Sequence, residues 1–148
     1  MVIIMKKESL NIAKERELLS TSCKKLLDDT MRDIDIIAKE MNLTKEQTEA
    51  FRQRSAAAII YGDLKAENNY LSRTNDELAQ RKIERNKLKM ASVNHIYKDS
   101  YQDVKDFEQE ANKKLAERRA EREKNQENKN NQTKKAAPSR TPARKKAA

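Results

Sequence analysis

Chemistry needs nucleophiles, acid–base groups or ligands at set spacings, and this chain offers few. Cys23 is the one cysteine and His95 the one histidine. A single thiol excludes an internal disulfide and a thiolate metal cluster within one chain. A single histidine excludes a two-histidine zinc site, and no acid stands three residues before His95 as a di-iron helix motif requires. One glycine, Gly62, leaves no material for a glycine-rich phosphate loop. Cys23 falls on an apolar stripe beside Leu19 and Leu26, so it reads as a packed thiol. His95 falls on a polar helical face and reads as exposed. Carboxylates are interleaved with lysines throughout, and no acid pair stands out. The sequence points to no catalytic residue, no metal and no cofactor, and the chain is expected not to be an enzyme.

The residues that do suggest a chemistry are cations. Residues 124–148 hold eight Lys or Arg and one acid, Glu127, a local balance of +7 in a chain of net charge +9. Both prolines, Pro138 and Pro142, lie there, and past Leu115 there is no large apolar side chain. Such a segment cannot build a core, and it reads as a disordered, extended basic tail. Lys134, Lys135, Arg140, Arg144, Lys145 and Lys146 are the expected nucleic-acid contacts. Each can neutralise a phosphate and release counterions without reading bases. "TPAR", Thr141–Arg144, follows the pattern S/T-P-x-K/R. In composition residues 133–148 resemble the Lys/Ala/Pro tails of linker histones and of bacterial histone-like proteins. The resemblance covers about a tenth of the chain and holds one copy of a motif those tails repeat. It implies contact with phosphates and the minor groove, and in a eukaryotic or viral setting nuclear import and phosphorylation at Thr141. It implies nothing about the rest of the chain.

Something must carry that tail. Charged residues make up 39% of the chain and aromatics 4%, and no proline precedes Pro138. A long stretch without turn formers, rich in Lys, Glu, Ala, Leu and Arg, predicts helices throughout. The fold class expected is all-α: an elongated helical hairpin or coiled-coil type of oligomer with a disordered basic C-terminal tail.

Four segments follow. Residues 1–43 predict an N-terminal amphipathic helix, with Ile12, Leu19, Cys23, Leu26, Leu27, Met31, Ile34, Ile37, Ala38 and Met41 on one face. Residues 44–82 predict a second helical segment, opened by a capping box at Thr44 and Gln47. Within it Gly62 and Asp63 suggest a stop and a restart. A short leucine ladder follows, with Leu64, Leu71 and Leu78 seven apart and Asn68 and Asn75 at the alternate positions. Buried asparagine at such positions fixes register and favours dimers. Thr74 and Glu77 offer a further capping box that would end the ladder. Residues 83–123 predict a long heptad-patterned helix, with Ile83, Met90, Tyr97, Val104 and Ala111 in one lane and Val93, Tyr101, Phe107 and Leu115 beside it. Residues 124–148 are the tail. A helix-turn-helix over 44–73 is a lesser reading, because "DLKAENNYLSR" mixes acids with Lys65 and Arg73.

The opening "MVIIMKKESL" has its apolar residues before its lysines, the reverse of a secretory signal. Met5 before Lys6 and Lys7 is an alternative start. No apolar run reaches a membrane span. An intracellular location, in cytoplasm, nucleoid or nucleus, is therefore expected. The expected function is architectural or accessory binding of DNA or RNA by a homo-oligomer with basic arms. The alternative is a helical assembly protein, of viral scaffolding or secretion type, whose tail docks on an acidic protein partner.

Overall fold

The computed structural model describes residues 9–147, with side chains described as far as residue 129. Every regular element among the described residues is helical. They are α1 (Ile12–Glu17), α2 (Thr21–Glu40), α3 (Lys45–Leu71), α4 (Glu77–Asp99), α5 (Tyr101–Val104) and α6 (Glu108–Ala147). The chain forms two compact units, one ending at Ala111 and the other beginning at Asn112.

In the first unit α3 is the helix that its neighbours share. Both α2 and α4 pack on it. Short connections make each neighbour antiparallel to it. Arg52 meets Asp35 and Asp63 meets Ser20 along one side, while Asn68 meets Asn86 and Arg54 meets Tyr97 along the other. Ala56 and Ala57 are fully buried and let the helices approach closely. The core gathers Leu27, Ile34 and Ile37 of α2, Phe51 and Ile60 of α3, and Ile83, Val93 and Ile96 of α4. Val104 and Phe107 close it, and the Phe107 ring meets Phe51 edge-on at 5.9 Å.

Local chemistry sets the ends. The Thr44 hydroxyl accepts from Gln47 N at 3.1 Å and Gln47 Oε1 accepts from Thr44 N at 2.9 Å, the capping box read in the sequence. Asn42 stands at φ 56°, and Leu43 N donates to Ala38 O at 2.9 Å, so α2 ends in a left-handed cap. The N-terminal stripe is correct in face but not in continuity. Leu18–Ser20 interrupt it, and the Ser20 hydroxyl caps α2.

Three other expectations need correction. Gly62 neither stops α3 nor starts a helix at Asp63; α3 runs through it, which also removes the helix-turn-helix over 44–73. One glycine costs less than the packing gained by the rest of α3. The break after the ladder is real, but Asp76 caps α4, through a bond from Leu78 N. The Thr74 hydroxyl instead donates to Leu71 O at the end of α3. The segment 83–123 is not one helix. It breaks at Ser100 and again over 105–107, which turns Val104 and Phe107 into the core. The backbone of α6 is helical to Ala147. Alanine and lysine supply helical propensity past residue 124. Pro138 and Pro142 each leave a carbonyl one turn back without its donor.

Gly62 is exposed, and a Cβ placed on it meets nothing within 4 Å. Gly62→Ala should therefore stabilise the protein by about 0.5–1 kcal/mol. A urea titration that shows no gain, or a loss, would mean α3 is not continuous through residue 62.

The α3–α4 hairpin is fastened by a buried cation. The Arg54 side chain is 10% exposed and Glu108, opposite it, 18%. Arg54 Nε contacts Glu108 Oε2, Nη2 donates to Glu108 Oε1 at 3.2 Å, and Nη1 donates to Tyr97 O. The guanidinium lies 3.8 Å from the Tyr97 ring centre and 5.3 Å from that of Tyr101. Arg54→Ala leaves a half-buried carboxylate without its partner and should cost about 3–5 kcal/mol. Replacing both groups, Arg54→Met with Glu108→Leu, should cost less than the single change. Chemical denaturation of the three proteins decides it, and a single-variant loss below about 1 kcal/mol would place this pair among ordinary surface pairs.

Candidate functional site

The ladder and seam residues are mostly spent inside the chain. Asn68 Nδ2 donates to Ile83 O at 3.3 Å and lies 3.8 Å from Met90 Sδ. Asn86, which the heptad pattern does not single out, donates to Asn68 Oδ1 at 2.9 Å and to Glu67 Oε1 at 3.0 Å. Thus Asn68, Ile83 and Met90 come together, as a register device between α3 and α4 of one chain. Leu64 and Leu71 are half-buried, whereas Asn75 and Leu78 are exposed at the α3–α4 turn. Tyr97 faces Arg54, and Val104 is buried in α5. Arg54 and Asn86 escaped the sequence reading because polar side chains were assigned to the solvent side. The signal for Arg54 is its place in "RQRSAAAII", one step before an otherwise apolar run.

Three features could do chemistry. The first is Cys23, half-buried at the start of α2 near Ser20, Ser22 and Asp63. Burial raises the thiol above its ordinary value and the Asp63 carboxylate pushes the same way, against the Ser20 hydroxyl. This is the environment of an inert thiol. The second is His95, exposed, with Nε2 3.2 Å from Asp99 Oδ2 one turn on. Among the described residues no group of three or more His, Cys, Asp or Glu side chains converges on a point that could hold a metal. None of their helices is long and apolar enough to cross a membrane.

The third feature is a cavity of about 450 Å³ between the start of α3 and the end of α4. Its wall is mainly apolar carbon, with Ala50, Gln53, Ile96 and Ser100 among its lining residues, and Ser9 forms one side. Glu46, Glu49, Asp99 and Asp103 ring it, with Lys45 the one cation among the lining residues. No sequence period marks it, because its lining comes from four separate segments.

The basic end of the chain is described only in part. From Ala116 to residue 129 no α6 residue is buried, and Leu115 is the last that is. Lys124 and Lys129 are exposed. Lys134, Lys135, Arg140, Arg144, Lys145 and Lys146 lie outside the residues whose side chains are described.

The thiol gives a direct check. In the folded protein at mildly alkaline pH, Cys23 should react with an alkylating reagent several-fold more slowly than in the urea-unfolded chain, because both exposure and thiolate fraction are lower. Equal or faster alkylation would make Cys23 a reactive group. Set against protein-family models, curated proteins and solved structures, the chain matches none of them.

Proposed function

We propose that this is a non-enzymatic architectural or accessory nucleic-acid-binding protein, whose basic C-terminal segment contacts phosphates with little sequence preference. The observation that carries the reading is the separation of charge from core. Residues 124–148 hold +7 of the net +9, and nothing from Ala116 to residue 129 is buried. A segment that lacks large apolar side chains and concentrates cations is suited to a polyanion. Several such arms joined in an oligomer would bind more tightly with no new contact. The oligomer would have to use surfaces other than the α3–α4 seam, which is filled within one chain.

A second reading has its own support. Leu78 and Leu88 are 70% and 75% exposed on α4, and Tyr70 is 68% exposed near the same turn. Exposed apolar groups of this size suit a protein partner. A helical assembly protein, docking its tail on an acidic protein surface, is therefore the alternative.

Titration of full-length protein and of a chain ending at residue 123 against duplex DNA and against RNA, over a salt series, separates the readings. Each arm should bind on the order of 10–100 μM at physiological salt, with a slope of log affinity on log salt no steeper than about −6. Truncation should flatten the slope and leave the melting temperature of the helical body unchanged. Equal affinity and slope from the truncated chain would remove the tail from the interface. Absence of binding by the full-length chain would favour the acidic protein partner.

A further inference from the structure

The cavity between the start of α3 and the end of α4 has two chemically distinct parts. Its volume of about 450 Å³ falls in the range of about 300–1,000 Å³ typical of ligand clefts. Ala50 and Ile96 give its wall carbon, and the buried polar side chains there are committed to the protein itself. Gln53 Nε2 donates to Leu10 O at 2.9 Å and to Glu49 Oε1 at 3.1 Å, and Gln53 Oε1 accepts from Leu10 N at 2.6 Å. The Ser100 hydroxyl donates to Tyr97 O at 2.8 Å. A polar body entering this wall would give up its water without replacement, so the matching body is apolar.

The rim has the opposite character. Glu46, Glu49, Asp99 and Asp103 stand around it, with Lys45 the one cation among the lining residues. Neighbouring bases take up part of that charge. Arg52 Nε lies 3.7 Å from Glu49 Oε2, and His95 Nε2 lies 3.2 Å from Asp99 Oδ2. With Arg52 and a protonated His95 counted, the acids still outnumber the bases by four to three. The two helix ends that meet here, the start of α3 and the end of α4, carry opposite partial charges and leave the balance to the side chains. Carboxylates accept hydrogen bonds and donate none. An anion is repelled there and a neutral group gains no attraction, whereas an ammonium gains charge-assisted hydrogen bonds.

We infer that this cavity is the binding site of a small organic cation, an ammonium joined to an aromatic or branched aliphatic body. The body lies against Ala50 and Ile96, and the ammonium stays at the rim among Glu46, Glu49 and Asp99. The same carboxylates turn phosphates away, so this site is distinct from the basic C-terminal segment proposed for nucleic acid and does not depend on that proposal. Its lining comes from the segment at Ser9, α3, α4 with Ser100, and α5, so an occupant holds four segments together and stabilises the first unit by mass action.

The experiment titrates the isotope-labelled full chain, at neutral pH and low salt, with three compounds of one shape: phenylpropylamine, phenylpropanol and phenylpropionate. A fourth, propylamine, has the cation without the ring. Amide shifts of Ala50, Gln53, Ile96 and Ser100 report occupancy, and the amide of Leu78 at the other end of the hairpin is the control. Phenylpropylamine should bind with a Kd of about 1 mM or tighter. Each of the other three should bind about tenfold more weakly, or less well still. Glu46→Gln with Asp99→Asn should bring the phenyl amine to the level of the alcohol and leave the alcohol's own affinity unchanged. Silence of the four amides at several millimolar phenylpropylamine would overturn the proposal. Equal binding of the amine and the carboxylate would do the same, because the rim would then select no charge. Propylamine binding as tightly as phenylpropylamine would reduce the site to surface charge and remove the cavity from it. A double variant that keeps the full preference for the amine would place the cation elsewhere and also overturn the assignment.

Discussion

A guanidinium cannot be taken out of water without partners, and Arg54 sits where two elements must supply them. Glu108 comes from the first turn of α6, the Tyr97 carbonyl from the last turn of α4, and the Tyr97 ring covers the cation's face. The last carbonyls of a helix lack intrahelical donors. Arg54 and the Ser100 hydroxyl both donate to Tyr97 O, so the end of α4 is satisfied where it lies. A cation there also complements the negative end of the helix dipole. Continuing α4 past Ser100 would occupy that carbonyl and carry Val104 and Phe107 away from the core. One buried charge thus accounts for the helix break, the aromatic cover and the return of the chain to Phe51.

The same logic governs the other end of the hairpin. Asn68 and Asn86 bond to each other, and Glu67 draws both Asn86 and, at 3.3 Å, Lys82. A seam of Ile, Met, Val and Ala tolerates sliding by one turn, because its side chains are similar in size and lack direction. Amide and guanidinium groups do not tolerate it, since a slip leaves each buried donor unmatched. Polar pairs at residues 68/86 and 54/97 pin the antiparallel register of α3 on α4 at two points. That role is the one asparagine plays between chains in coiled coils, here transferred to a turn within one chain.

Much of this was legible in the sequence, and the failures share a cause. Helical content, the capping box at Thr44, the buried face of α2 and the break near residue 75 all follow from local rules, and the structure has each of them. Gly62 misled because propensity is a weak local prior, and α3 is decided by packing along its whole length. The ladder of Leu64, Leu71 and Leu78 misled because heptad spacing is indifferent to which chain supplies the partner. A five-residue turn lets α4 supply it, and the turn puts Leu78 outside. The lane from Ile83 to Ala111 kept its burial at Ile83, Val104 and Ala111 but not its continuity. Periodicity reports which residues are inside, and it cannot see a buried arginine that obliges the helix to stop. The cavity had no local signature at all, since Ser9, α3, α4 and α5 meet only through the tertiary fold.

Charge is unevenly divided along the chain. Residues 1–123 are close to balanced, at +2, and several of the described cations lie against acids. Arg16 lies against Asp28, whose carboxyl it holds below the usual carboxylate range, with hydrogen bonds at 2.8 and 2.9 Å. Arg52 lies against Asp35, Lys89 against Glu15 and Arg81 against Glu77, each pair within 2.9 Å. The more exposed of these pairs contribute little to stability. Their consequence is electrostatic: each cation already facing an acid offers a phosphate less than a bare one does, because binding must first compete with the carboxylate. In residues 124–148 only Glu127 opposes eight cations. The first 123 residues are near neutral, and most of the net charge of the sequence falls past Leu115, the last buried residue among those described.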